Sequence, residues 1–188
     1  MAISITDIEM GMGLVLDGQV YRVVEYHHVK PAKGSAFVRV KLKHLKSENV
    51  LERTFRTAEK LDDAELEERN LNYLYAAGDT YHFMDHSSYE EIAVSKNLLG
   101  DGIRFLKDNL EATGIFYNDQ IQKIILPNFI IFKIIESETG IRGDSTKAGT
   151  KPVKIETGAT IQVPLFINTD DWVKIDTRTG DYVERVQK

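Results

Sequence analysis

Between Phe37 and Leu45 the chain reads FVRVKLKHL, and the strict alternation of that run constrains the fold more than any other feature. Side chains on a strand point to opposite faces in turn, so Val38, Val40 and Leu42 go one way and Arg39, Lys41 and Lys43 the other. A helix would spread the same residues around its circumference. The run therefore predicts a strand with one face in a core and the other carrying a ladder of cations. Upstream, LVLDGQVYRVVEYH predicts two strands joined at Asp17-Gly18, a dipeptide that tolerates the left-handed backbone of a two-residue hairpin turn. VLERTFRT continues the sheet after the polar turn Lys46-Ser47-Glu48-Asn49. Short strands at close spacing with little helix predict a small barrel of about 60 residues.

The rest of the chain has the same texture. KLDDAELEERN is charged, poor in apolar residues, and reads as a linker. LNYLYAAGDTYHFMD predicts a strand pair turning near Ala77-Gly78-Asp79, with Tyr73, Tyr75, Tyr81 and Phe83 alternating as core positions would. SKNLLGDGIRFLKDNLE places Leu99, Ile103, Leu106 and Leu110 near helical spacing, although Gly100 and Gly102 weaken a helix there. GIFYNDQIQKIILP and FIIFKIIES predict two strands around Pro127, which suits a junction better than a central strand. Ser137 to Pro152, SETGIRGDSTKAGTKP, is a polar, glycine-rich stretch without periodicity, and loops of that length are often functional. Strands follow in ATIQVPLFIN, DWVKIDT and DYVERV, the last two joined by Thr177-Arg178-Thr179-Gly180. The expected fold class is all-β, with three small β-barrel domains in tandem at residues 1–63, 64–127 and 128–188.

Charge narrows the partner. The formal net charge is -5, which at first argues against a nucleic-acid binder. Its distribution argues the other way. Residues 30–60 hold nine basic residues and three acidic ones, whereas residues 64–127 hold 5 basic and 11 acidic. One basic end on an acidic protein points to a polyanion at that end, and like-charge repulsion discourages RNA contact at the middle.

The exclusions are equally direct. With no cysteine there is neither a disulfide framework nor a thiolate metal site. His82 and His86 fall in or just after a strand, so their spacing does not place them on one helical face, and no metal is expected. G-x-S-x-G, Walker and H-E-x-x-H patterns are absent, no catalytic residue is nominated, and the chain is not expected to be an enzyme. It contains no apolar run long enough to span a membrane, and its start lacks the basic flank and apolar core of a signal peptide. A cytoplasmic protein with no membrane partner is expected.

One loop remains, HVKPAKGS at residues 28–35. Pro31 fixes its own φ and pushes Lys30 toward extended backbone, and Gly34 can take the positive φ that reverses the chain. Such a turn projects Lys33, a primary amine that another enzyme can acylate or alkylate. On the residues alone Lys33 is either a solvated charge on a turn or a presented tip.

KPAKGSAFVRVKL resembles the K-P-G-K-G-x-A-F-x-R-V-K-L hairpin of bacterial elongation factor P. NLNYLYAAGDTYHFMD is similar to that family's second-domain strands, and GIRGDSTKAGTKPVKIETGATIQVPLFIN with VKIDTRTGDYVERV to its third-domain signature. The match runs from about residue 8 to the C-terminus in the family's order. The resemblance implies an SH3-like (KOW-like) N-terminal barrel followed by two OB-folds, in an elongated, tRNA-like shape. It implies a monomeric factor that binds the large and small subunits of the ribosome beside the P-site peptidyl-tRNA. There it would stimulate peptide-bond formation at consecutive prolines by positioning that tRNA, without donating a catalytic group.

The residue assignments follow from the same resemblance. Lys33 falls on the family's modified tip residue, which implies a β-lysyl or related covalent group and a lysine-modifying enzyme, and no cofactor. Lys30, Pro31, Ala32 and Gly34 make up the tip loop around it. Arg39, Lys41 and Lys43 become candidate contacts to tRNA or rRNA phosphates. Gly143, Asp144 and Ser145 become candidate nucleic-acid contacts toward the small subunit and exit-site RNA. Three positions depart from the family pattern: Ala32 and Asp170 stand where glycine is usual, and Trp172 where a smaller or aliphatic residue is usual. Two other readings are an elongation-factor-P-like paralogue, whose tip differs from KPAKG, and a general single-stranded RNA-binding OB protein, which the acidic middle segment disfavours.

Overall fold

The computed structural model describes residues 2–32, 34–56, 59–137 and 149–187. They form three sheets with one short helix, so the chain is all-β as its alternation predicts. The chain divides into two compact units, residues 1–69 with 114–124 and residues 70–113 with 125–188.

The first sheet contains β1 (Ala2–Ser4), β2 (Gly13–Leu16), β3 (Gln19–Val29), β4 (Phe37–His44), β5 (Val50–Arg56) and β6 (Lys60–Ala64). Their order is β1-β6-β2-β3-β4-β5, antiparallel throughout. Asp17 and Gly18 take φ of 51° and 75°, the left-handed pair that a tight β2–β3 turn requires. Leu14, Val23, Val38, Val40, Leu42 and Phe55 are each no more than 1% exposed and form one core cluster with Ile5 and Ile8. Burial of side chains of this size stabilises by about 1.5–3 kcal/mol each before the entropy of ordering is charged against it.

The expected linker over residues 60–70 is not one. Its residues form β6, which lies between β1 and β2, and the beginning of the next strand. Two small commitments suffice: Leu61 and Ala64 are buried, and the backbone of β6 is paired on both sides while its acidic side chains stay at the surface. A second cluster joins Val20, Leu45 and Ala64 to Ile115, with Val15, Leu66 and Tyr117 packed against it.

The second sheet contains β7 (Glu67–Ala77), β8 (Thr80–Asp85), β9 (Glu91–Ser95), β10 (Glu111–Tyr117) and β11 (Gln120–Ile125), in the order β11-β10-β7-β8-β9. Tyr73 and Phe83 are buried as expected, but Tyr75 is 48% exposed. The register of β7 against β8 slips between Tyr73 and Tyr75, and one extra residue turns Tyr75 out of the core. Its ring stacks on His82 at 4.4 Å, and both side chains hydrogen-bond to Glu91. The helical spacing after Ser95 gives a single turn, α1 (Lys96–Leu99), which ends at Gly100 with φ 52° and passes into a 3-10 segment, Gly100–Phe105. GIFYNDQIQKIILP holds parts of two strands, because Asn118 and Asp119 (φ 49° and 59°) make a hairpin turn between β10 and β11.

The third sheet contains β12 (Phe129–Ser137), β13 (Thr150–Ile155), β14 (Thr160–Pro164), β15 (Trp172–Asp176) and β16 (Tyr182–Val186), in the order β14-β13-β12-β15-β16. Ile130, Phe132 and Ile134 alternate inward from β12, and Phe132 and Ile130 are register partners of Val173 and Ile175. The long polar loop is shorter than expected, since Ser137 closes β12 and Thr150, Lys151 and Pro152 already belong to β13. Asp170 takes φ 71° and pairs with Lys133 at 2.7 Å; that left-handed backbone is the physical reason glycine suits the position.

Candidate nucleic-acid interface on the first sheet

β3 and β4 form a long hairpin that pairs from Tyr21↔His44 to Val29↔Phe37. An extra residue at Val24 shifts the register between Val23 and Glu25. This bulge sets which side chains of β3 share the outward face of β4. Four rows result across β3, β4 and β5: Arg22, Lys43 and Val50; Glu25, Lys41 and Glu52; His27, Arg39 and Thr54; and, at the loop end, Val29, Phe37 and Arg56.

The ladder of Arg39, Lys41 and Lys43 is real, with the alternate residues of β4 buried behind it. It is not a bare row of cations. Arg39 pairs with Glu52 at 3.3 Å, Lys41 with Glu25 at 2.5 Å and Lys43 with Glu48 at 3.3 Å. Glu48 also pairs with Lys123, and Glu25 also meets His27 at 2.7 Å. Hydrogen bonds from Lys41 and then His27 hold the Glu25 carboxyl below the usual carboxylate range, and the same Glu25 contact raises Lys41. Glu25, His27, Arg39, Lys41 and Glu52 line a shallow groove of about 200 Å³. These carboxylate partners of the ladder have no local mark in the sequence, because Glu25 and Glu52 reach it only through strand register.

At the loop end, Lys30, Pro31, Ala32 and Gly34 are all exposed. Gly34 has φ 109°, a left-handed conformation that favours glycine at this reversal. Lys33 lies outside the described residues, as do Gly143, Asp144 and Ser145 in the loop between β12 and β13. Among the described residues no group of three His, Asp or Glu is placed to hold a metal ion, and no helix is long and apolar enough to cross a membrane.

The sequence matches three family models in succession: the elongation factor P KOW-like domain over residues 4–61, the elongation factor P OB domain over 66–124, and the elongation factor P C-terminal domain over 130–185. The chain belongs to the elongation factor P family. It is 49% identical to elongation factor P of Natranaerobius thermophilus over 98% of each chain. It is 51% identical to that of Moorella thermoacetica over 97% of this chain and 99% of the relative. Over 66% of this chain the fold is similar to that of eukaryotic translation initiation factor 5A from Methanococcus jannaschii, with a TM-score of 0.54 at 23% identity, covering 94% of the other chain. A related factor from Naegleria fowleri superposes with a TM-score of 0.52 at 11% identity, over 67% of this chain and 98% of its own. An elongation factor P chain of this kind is a translation elongation factor, with an SH3-like, KOW-type barrel followed by two OB-folds.

Proposed function

We propose that this chain acts in the cytoplasm as a ribosome-bound positioning factor, contacting the P-site peptidyl-tRNA and accelerating peptide-bond formation at consecutive prolines. The observation that carries this reading is the β3–β4 hairpin, which ends in an exposed Lys30-Pro31-Ala32 turn reversed at Gly34. Proline is a constrained secondary-amine substrate, and a peptidyl-prolyl end that sits poorly for attack reacts slowly. Holding the acceptor end in reactive geometry lowers the barrier through orientation and needs no catalytic group from the factor. Lys33, between Ala32 and Gly34, is the residue assigned to the tip, carrying a β-lysyl or related group added by a lysine-modifying enzyme. Arg39, Lys41 and Lys43 are assigned to tRNA or rRNA phosphates, and Gly143, Asp144 and Ser145 to RNA on the small-subunit side.

The test is translation in a system lacking the endogenous factor, on a Pro-Pro-Pro template and a proline-free control. Lys33→Ala is expected to slow the first far more than the second. Equal effects on both templates would sink the proline-specific reading. Mass spectrometry of the protein from its native host checks the modification separately: a mass increment on the peptide containing Lys33 is expected, and a bare peptide removes that claim.

A further inference from the structure

We propose that the outer face of the second sheet carries a pocket for a guanidinium group, filled by an arginine side chain of a partner protein. Asn70 and Asn72 lie two residues apart on β7, and Glu111 and Thr113 two apart on the neighbouring β10. Side chains at that spacing share a face, so all four project away from the buried Leu71 and Ala112 that alternate with them. His86, just after β8, donates its backbone N–H to the Asn70 carbonyl at 2.9 Å and adds its ring to the same place. Ile125, Leu126 and Pro127 make an apolar wall, which the Thr177 hydroxyl fixes by donating to the Pro127 carbonyl at 2.7 Å. The space between them is about 290 Å³ and lies wholly within the second compact unit.

The lining selects the ligand. Among the described residues, the side chains of Asn70, Asn72, His86, Glu111 and Thr113 make no hydrogen bond or ion pair. Each offers an acceptor, His86 through its unprotonated ring nitrogen. No lysine or arginine lines the pocket, so nothing there attracts a phosphate or a carboxylate. No Phe, Tyr or Trp lines it either, and a nucleobase needs such a ring to stack on. Glu111 supplies a full negative charge, within a segment, residues 64–127, that holds 5 basic and 11 acidic residues. A cation with several donors fits this set. Guanidinium presents five N–H groups in a planar fork and pairs bidentately with a carboxylate, whereas an ammonium is a compact point charge that reaches fewer acceptors. The apolar wall covers the aliphatic stem. Size favours a side chain over a free molecule. Pockets for free ligands run from about 300 Å³ upward and bury most of the ligand. Here Asn70, His86, Glu111, Ile125 and Pro127 are exposed, so the pocket is an open notch that suits a group delivered by a larger surface.

The test titrates the whole nitrogen-15-labelled protein with acetyl-arginine amide and follows its amide signals by NMR. Saturable shifts are expected at the side-chain amides of Asn70 and Asn72 and at the backbone of His86 and Glu111, with a dissociation constant on the order of 1 mM. Acetyl-citrulline amide has nearly the same shape without the charge and should bind roughly tenfold more weakly, and acetyl-lysine amide roughly threefold. Glu111→Gln keeps the size of an exposed side chain and should weaken the arginine probe roughly fivefold, with the rest of the spectrum unchanged. Free arginine brings its own carboxylate toward Glu111 and should bind more weakly than the capped probe. Equal or tighter binding of free arginine would overturn the protein-borne side chain in favour of the amino acid itself. Lysine or citrulline probes that bind as tightly as arginine would overturn the guanidinium. No loss in Glu111→Gln, or shifts that never saturate or that scatter over other acidic faces, would overturn the pocket.

Discussion

The seam between β2 and β6 gives the strictest test of how the first sheet is built. A Cβ added at Gly13 would lie 2.3 Å from the Ala64 carbonyl oxygen, 2.7 Å from Leu66 Cγ and 3.0 Å from Ala64 Cβ. A carbon rests against an oxygen at a little over 3 Å, so Gly13→Ala must move backbone by roughly 1 Å, because the nearest obstacle is not a flexible side-chain end. Gly13 is the register partner of Ala64, and Leu14 and Val15 follow opposite Asp63 and Asp62, so that retreat opens the first rung of the β2–β6 pairing and loosens Ala64 in the second core cluster. Overpacking costs about 1–3 kcal/mol and a lost rung about 1. The entropy that alanine removes from the unfolded chain offsets about 0.4–1 of this. The net expectation is a loss of roughly 2–3 kcal/mol, or about 4–8 °C per kcal/mol for a unit of this size.

Far-UV circular dichroism during heating and urea titration measures that loss, and hydrogen exchange at Leu14 and Asp63 locates it. Gly18→Ala is the control: Gly18 has φ 75° but open space around its Cα, so it carries only a conformational cost of roughly 1–2 kcal/mol. The steric reasoning is wrong if Gly13→Ala costs less than Gly18→Ala, or if the β2–β6 amides keep their protection.

Two further outcomes follow from the ion pairs. Glu25→Gln with Glu52→Gln leaves the cations in place and removes their competitors, so ribosome binding should strengthen and its salt slope steepen by roughly 1–2, the signature of Lys41 and Arg39 entering the contact. A slope equal to wild type would show that those two never meet phosphate. On the third sheet, hydrogen bonds from Arg178 hold the Asp176 carboxyl down to about 2. A depressed carboxyl contributes stability that is complete above its unfolded value, near 3.9, and is lost as pH falls through about 2. Carbon-13 titration of the side chain should place its midpoint near 2, and Asp176→Asn should flatten the pH dependence of unfolding in that interval alone; a midpoint near 4 would refute the pairing.

Much of this was legible in the order of residues. Val38, Val40 and Leu42 could only alternate against Arg39, Lys41 and Lys43, and Asp17-Gly18 could only turn. What escaped notice were features without a compositional mark. A bulge adds one residue and changes no pattern that a short window detects, so the outward turn of Tyr75 was invisible. The pairing of Lys41 with Glu25 spans sixteen residues and depends on register, which no local reading supplies. The strand β6 was hidden behind its own charges, since central pairing requires backbone groups and two apolar contacts, not an apolar run. Asn118-Asp119 turns as Asn-Gly would, but without a glycine to announce it.

The extra residue at Val24 bears on how this hairpin can change length. Deleting a residue from the middle of a strand ordinarily rotates everything beyond it onto the wrong side. Here the pairing is Val23↔Leu42 and then Glu25↔Lys41, so a chain lacking Val24 would keep every partner and every outward side chain. Only the local twist would relax. Val24 is thus a spare link, the place in β3 where the strand can lose a residue, and the hairpin its coil, without shuffling the contacts at the far end.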